Sequence, residues 1–124
     1  MESVVTKGAP KPFGPYSQGV KANGFVYTAG QVANDPATGK LVEGGIKEQT
    51  ARVMENLKSI LEESGTSLDR VVKVTVFLRD RKDFAAMNEV FAKYFDKNKP
   101  ARSTIQAEMV HDGWLIEIEA VAAL

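Results

Sequence analysis

The sequence predicts an α+β fold in which two helices cover one face of a single sheet, and three observations carry that prediction. Two segments repeat apolar residues at helical spacing, namely Val53, Leu57, Ile60 and Leu61, then Phe84, Met87, Phe91, Tyr94 and Phe95. Between and around them lie alternating, β-branched stretches such as "RVVKVTVFLRD" and "WLIEIEAVAAL". Two dipeptides that tolerate positive φ, Asn23-Gly24 and Asp112-Gly113, fall between pairs of such stretches.

In chain order, Ala9 to Pro15 holds three of the five prolines and reads as an extended leading loop. Val20 and Ala22, then Phe25, Val26 and Tyr27, flank Asn23-Gly24 as a hairpin. Residues 31 to 45 carry Asn34-Asp35-Pro36, Thr38-Gly39 and Gly44-Gly45 and form an irregular surface loop. The first helix spans Ile46 to Glu63 and stops at Gly65. A strand follows with Val72, Val74, Val76 and Leu78 on one face, central in the sheet. Asp83 caps the second helix, whose aromatic stripe reads as core, and Asn98 and Pro100 end it. "ARSTIQAEMV" and "WLIEIEAVAAL" then form a second hairpin about Asp112-Gly113. The predicted order is β-β-α-β-α-β-β. The sheet face away from the helices is only partly polar, so a closed homo-oligomer is expected to cover it.

The chain has 124 residues, the length of one domain, 1–124. Sixteen Lys and Arg balance sixteen Asp and Glu, so the charge advertises neither a nucleic acid nor an acidic membrane as partner. No cysteine is present, which excludes thiolate catalysis and cysteine-ligated metals. His111 is the single histidine, so a protein-only metal site is not expected; beside a turn, it reads as exposed rather than catalytic. The first residues lack the apolar core of a signal peptide, and a cytoplasmic protein, or an organellar one freed of its transit peptide, is expected.

Hairpin arithmetic places Glu117 opposite Glu108 and Glu119 opposite Gln106, an unfavourable pairing for Glu117 unless a bulge or a special environment accommodates it. In that register Arg102 cannot reach Glu117 of its own chain. An arginine fork suits a carboxylate, and a glutamate suits the positioning and deprotonation of a water. A site using both would span a subunit boundary, although an Arg and a Glu so spaced more often form a surface pair.

Six stretches, "GPYSQG" (14–19), "AGQV" (29–32), "VVKVTVFLRD" (71–80), "MNEVFAKYF" (87–95), "PARSTI" (100–105) and "IEIEAVA" (116–122), run in the order found in one family. Over essentially its whole length the chain resembles the RidA/YjgF family of enamine and imine deaminases. The resemblance implies a chorismate-mutase-like α+β fold, ferredoxin-like in kind, a homotrimer with its sheets around a central barrel, and three sites between subunits. It implies hydrolysis of 2-imino acids, such as 2-iminobutanoate and 2-iminopropanoate, without cofactor or metal, a protonated imine being electrophilic already.

By the same resemblance Arg102 binds the substrate carboxylate, Glu117 holds the hydrolytic water, Tyr16 lines the cleft and the Gly30 backbone approaches the ligand. Thr104 stands where cysteine or serine is common and keeps a backbone N–H for the ligand, and Ala29 stands where serine is common. On residue type alone, Tyr16 reads as a half-buried aromatic, Gly30 as a strand end, Arg102 as an edge charge and Thr104 as a β former. "EMVHDGW" at 108–114 departs from the usual "ARLPKGA" and bears on substrate choice. Three other functions fit the same fold: a non-catalytic 2-oxo acid binder, a chaperone-like protein, and a translation-inhibiting ribonuclease, the last without support from the charge.

Overall fold

A computed structural model describes residues 1–124. Its strands are β1 (Glu2–Val4), β2 (Gly19–Ala22), β3 (Phe25–Thr28), β4 (Val71–Leu78), β5 (Ala101–Gln106) and β6 (Ile116–Ala123), and its helices are α1 (Ile46–Glu63) and α2 (Phe84–Tyr94). They make one sheet in the order β1-β2-β3-β6-β4-β5. All neighbours are antiparallel except β4 and β5.

Local chemistry sets most boundaries. Asn23 and Gly24 both take positive φ, 52° and 84°, as the β2–β3 turn requires. At the start of α1 the Glu48 carboxylate accepts the Gly45 N–H at 2.7 Å. At its end Gly65 adopts φ +90°, so that Thr66 N–H reaches Leu61 O and Gly65 N–H reaches Glu62 O. These are the paired bonds of a Schellman motif, and they use carbonyls the helix leaves open. Asp83 precedes α2 without capping it through its side chain. Asp80 does the local work, accepting from Lys82 N–H at 2.9 Å in the short 3-10 turn before the helix.

Alternation decides what the sheet buries. Val74, Val76 and Leu78 of β4, with Ile116, Ile118, Ala120 and Ala122 of β6, point under the helices and are buried. Val53, Leu57, Ile60 and Leu61 of α1 and Met87 and Phe91 of α2 close that core. The aromatic stripe of α2 splits: Phe91 and Phe95 are buried, whereas Phe84 is 45 % exposed. The opposite sheet face is bare, and Phe25, Tyr27 and Ile105 on it stay 36 %, 46 % and 49 % exposed. No helix is long and apolar enough to cross a membrane.

Three expectations need correction. β4 breaks its alternation between Val71 and Lys73, so Val71 rather than Val72 joins Val74, Val76 and Leu78 on the buried face, and Val72 is exposed. Glu2–Val4 forms an edge strand that its composition does not announce. More consequentially, the last two strands are not a hairpin. β5 lies parallel to β4 at the sheet edge, and β6 inserts between β3 and β4. The physical reason is the α2 crossover, which returns the chain in the direction of β4 and so permits only parallel pairing. Glu117 therefore faces Phe77 and Glu119 faces Thr75, and neither carboxylate is set against Glu108 or Gln106.

Candidate functional site

Beyond the end of β3 the backbone remains attached to the sheet. Gln31 N–H donates to Ile118 O at 2.8 Å, and Ile118 N–H returns the bond to Gln31 O at 3.1 Å. Thr28 Oγ1 accepts from Ala120 N–H at 3.0 Å. This bridge lays Gly30 on Glu117. A Cβ at Gly30 would fall on the Glu117 carboxylate, with Cδ at 2.9 Å and Cγ at 3.1 Å. Only glycine leaves the carboxylate room to lie there.

Glu117 sits on the floor of a cleft of about 520 Å³ lined by Phe13, Tyr16, Gly30, Val32, Val110 and Trp114 among others. Burial pushes its carboxyl above the usual range, and Glu119, on the same face of the strand, pushes it further in the same direction. The two ion pairs of the chain, Lys21–Glu2 and Lys47–Glu89, leave it out. Tyr16 stands at one wall, its phenol oxygen accepting Phe13 N–H at 3.0 Å. The buried Gln18 amide fixes the chain leading to that wall, donating to the carbonyls of Thr6, Ala9 and Pro10 and accepting from Thr6 N–H.

Val110 and Trp114 join the lining from the segment between β5 and β6. Gln49 of α1, 2 % exposed, grips this segment at two points. Its amide donates to Gly113 O and accepts from Leu115 N–H, both at 3.0 Å. Trp114, between those points, stacks on Phe13 with ring centroids 5.8 Å apart and packs against His111 at 5.3 Å. His111 itself is exposed, and its Nδ1 accepts Gly113 N–H at 3.1 Å.

Arg102 and Thr104 lie elsewhere. They pair with Val74 and Val76, so both side chains share the helix-covered face, whereas Glu117, opposite Phe77, is on the bare one. The Arg102 guanidinium lies 4.7 Å from the Phe91 ring centroid and 5.7 Å from that of Phe84. Burial lowers its pKa. Three residues and two strand spacings separate Arg102 from Glu117, about 10 Å along the sheet and about 10 Å across it. The chain thus brings Tyr16, Gly30 and Glu117 together and leaves Arg102 and Thr104 apart from them. The sequence reading reached the same separation, but from a hairpin register that does not exist.

Residues 6–124 match the family model described as Endoribonuclease L-PSP. A RutC family protein of Pyrococcus abyssi is 54 % identical over 121 residues, 98 % of this chain and 95 % of that one. The chain belongs to the RidA/YjgF family. Among other members, Reactive Intermediate Deaminase A, chloroplastic, of Arabidopsis thaliana is 44 % identical over 123 residues, 99 % of this chain and 66 % of that one. The crystal structure of RidA from Psychrobacter sp. PAMC 21119 superposes with a TM-score of 0.95 at 41 % identity, each chain covered at 100 %. That likeness confirms the RidA fold expected from the sequence.

Sequence reasoning missed Phe13, Val32, Val110 and Trp114 as cleft walls. The available signal was the family departure at 108–114, which contains two of the four.

Proposed function

We propose that the chain is an enamine and imine deaminase that hydrolyses 2-imino acids, 2-iminobutanoate and 2-iminopropanoate among them, to 2-oxo acids and ammonia. The observation that carries this reading is the Glu117 carboxylate, half-buried against the Gly30 backbone in an otherwise apolar cleft. Desolvation raises its basicity, which suits a group that must take a proton from water near neutrality. Arg102 carries the complementary charge, belongs to no ion pair, and stands at the free edge of the sheet. Its fork and the Thr104 N–H would serve the cleft of a neighbouring copy, with the bare sheet faces buried in a homotrimer.

In that assembly the neighbour's arginine orients the substrate carboxylate through two parallel hydrogen bonds. Glu117 holds a water beside the imine carbon and removes its proton as the oxygen attacks. The substrate reacts as the protonated imine, so the C=N π pair moves to nitrogen and leaves a neutral tetrahedral carbinolamine. Glu117 then passes its proton to nitrogen. The C–N bond breaks, ammonia departs, and the remaining hydroxyl proton is lost as the carbonyl forms. An enamine enters the sequence after protonation at carbon. Positioning of water and carboxylate supplies the acceleration.

The relative named as a deaminase supports the reaction class. The endoribonuclease name attached to the family model gains nothing from this chain, whose formal charge is +0. The test generates the imine with an amino-acid oxidase or threonine dehydratase and follows its disappearance against a semicarbazide trap. Wild-type protein is expected to outcompete the trap, and Arg102→Ala and Glu117→Gln to lose that effect while remaining folded. Binding of 2-oxo acids with no faster imine loss would convert the reading to that of a binding module.

A further inference from the structure

We infer that Trp114, with Phe13 and Val110, forms a subsite for the substrate side chain and biases the cleft towards 2-imino acids with branched or aromatic side chains. The inference rests on the site proposed above and adds the class of substrate. Glu117 is the only charged residue in the cleft lining, and no cationic side chain lines the wall at Phe13, Val110 and Trp114. That wall offers nothing to a carboxylate. With the reacting carbon at Glu117 and the carboxylate on the neighbour's Arg102, the remaining substituent is directed to the aromatic wall.

The wall is built rather than incidental. Gln49 holds the backbone on both sides of Trp114, at Gly113 and at Leu115. Gly113 lies so close to Leu41 that a Cβ there would be 2.8 Å from its Cδ2. Phe13, also in the lining, stacks on the indole at an interplanar angle of 30°. A fixed aromatic plane gains contact with an apolar side chain at little cost in ordering.

Trp114 is the single tryptophan, so its fluorescence reports on this wall alone. The test titrates the intact protein with pyruvate and with 4-methyl-2-oxopentanoate, the 2-oxo acids matching a small and a branched side chain. The branched acid is expected to alter Trp114 emission with half-saturation at least about 10-fold lower than pyruvate. In parallel, kcat/KM for imines made from leucine and from alanine gives a ratio in which the amount of active protein cancels. Trp114→Ala should lower that ratio by about 10-fold or more, and Trp114→Phe should hold it within about 3-fold. Equal half-saturation for the two acids, or emission indifferent to both, overturns the subsite, and so does a ratio unmoved by Trp114→Ala. Should the alanine variant lack all turnover, the wild-type titration and the Trp114→Phe ratio decide. Imine hydrolysis without size preference removes the subsite and leaves the deaminase; graded binding without hydrolysis does the reverse.

Discussion

Arg102 and Glu117 stand on opposite faces of one sheet, Arg102 opposite Val74 and Glu117 opposite Phe77 on the two sides of β4. A water on Glu117 and a carboxylate on Arg102 cannot belong to one ligand within one chain. A cleft that uses both therefore requires two copies.

Mixed assemblies test this division of labour. Arg102→Ala and Glu117→Gln proteins, each inactive alone, should regain deaminase activity when unfolded and refolded together. Random pairing restores both residues in about a quarter of the clefts. Refolded mixtures as inactive as their parents would place both residues in the same cleft half or remove one from the chemistry.

Gly30→Ala should damage stability and turnover together. Its Cβ would displace the Glu117 carboxylate, which has a backbone bridge on one side and its own strand beneath. A loss of about 1–3 kcal/mol is expected by thermal or denaturant unfolding. Displacing the carboxylate by about 1 Å should reduce the rate by about 100-fold. Wild-type rate in a folded alanine variant would show that the contact is dispensable.

The pH dependence of stability follows from the direction of the Glu117 shift. Desolvation first, and Glu119 second, raise the folded-state pKa. Between the ordinary glutamate value of about 4.3 and the raised one, the folded chain holds a proton that the unfolded chain has lost. Stability therefore falls as pH rises through that window and is unaffected by this group below it. In an Arg102→Ala background, where no guanidinium offsets the carboxylate, adding Glu117→Gln should raise Tm near pH 7, with the gain vanishing towards about pH 4. A gain independent of pH would assign it to packing.

Gln49→Leu isolates the support of the aromatic wall. The substitution keeps the buried volume but removes the partners of Gly113 O and Leu115 N–H. The expected cost is about 2 kcal/mol by denaturant unfolding, accompanied by a shift of Trp114 emission. Unfolding at the wild-type midpoint with unchanged emission would show that the wall holds without it.

Periodicity made the helices legible, and α1 begins at Ile46 and ends at Glu63 as read, because caps and apolar spacing agree there. Asn23-Gly24 likewise announced its turn. Pairing of the last strands was not legible locally. Asp112-Gly113 resembles a hairpin turn, yet partner choice for β5 was set by the helix before it, a nonlocal constraint. At the site, Glu117 stood out as a carboxylate in an apolar strand and took its role from the motif resemblance, whereas Gly30 came from the resemblance alone, since nothing in the spacing of an irregular loop reveals that it docks on a strand 87 residues later. Trp114 was visible only as a departure.

The reciprocal bonds between Gln31 and Ile118 make the cleft floor continuous with the sheet, whereas Val110 on the rim is 95 % exposed and the amides of residues 108–112 donate to no backbone carbonyl. Amide exchange should accordingly be slow at Gln31 and Ile118 and fast at 108–112. An occupant would meet a rigid base under a breathing margin, and its residence time would be set by the opening of that margin rather than by any rearrangement beneath it.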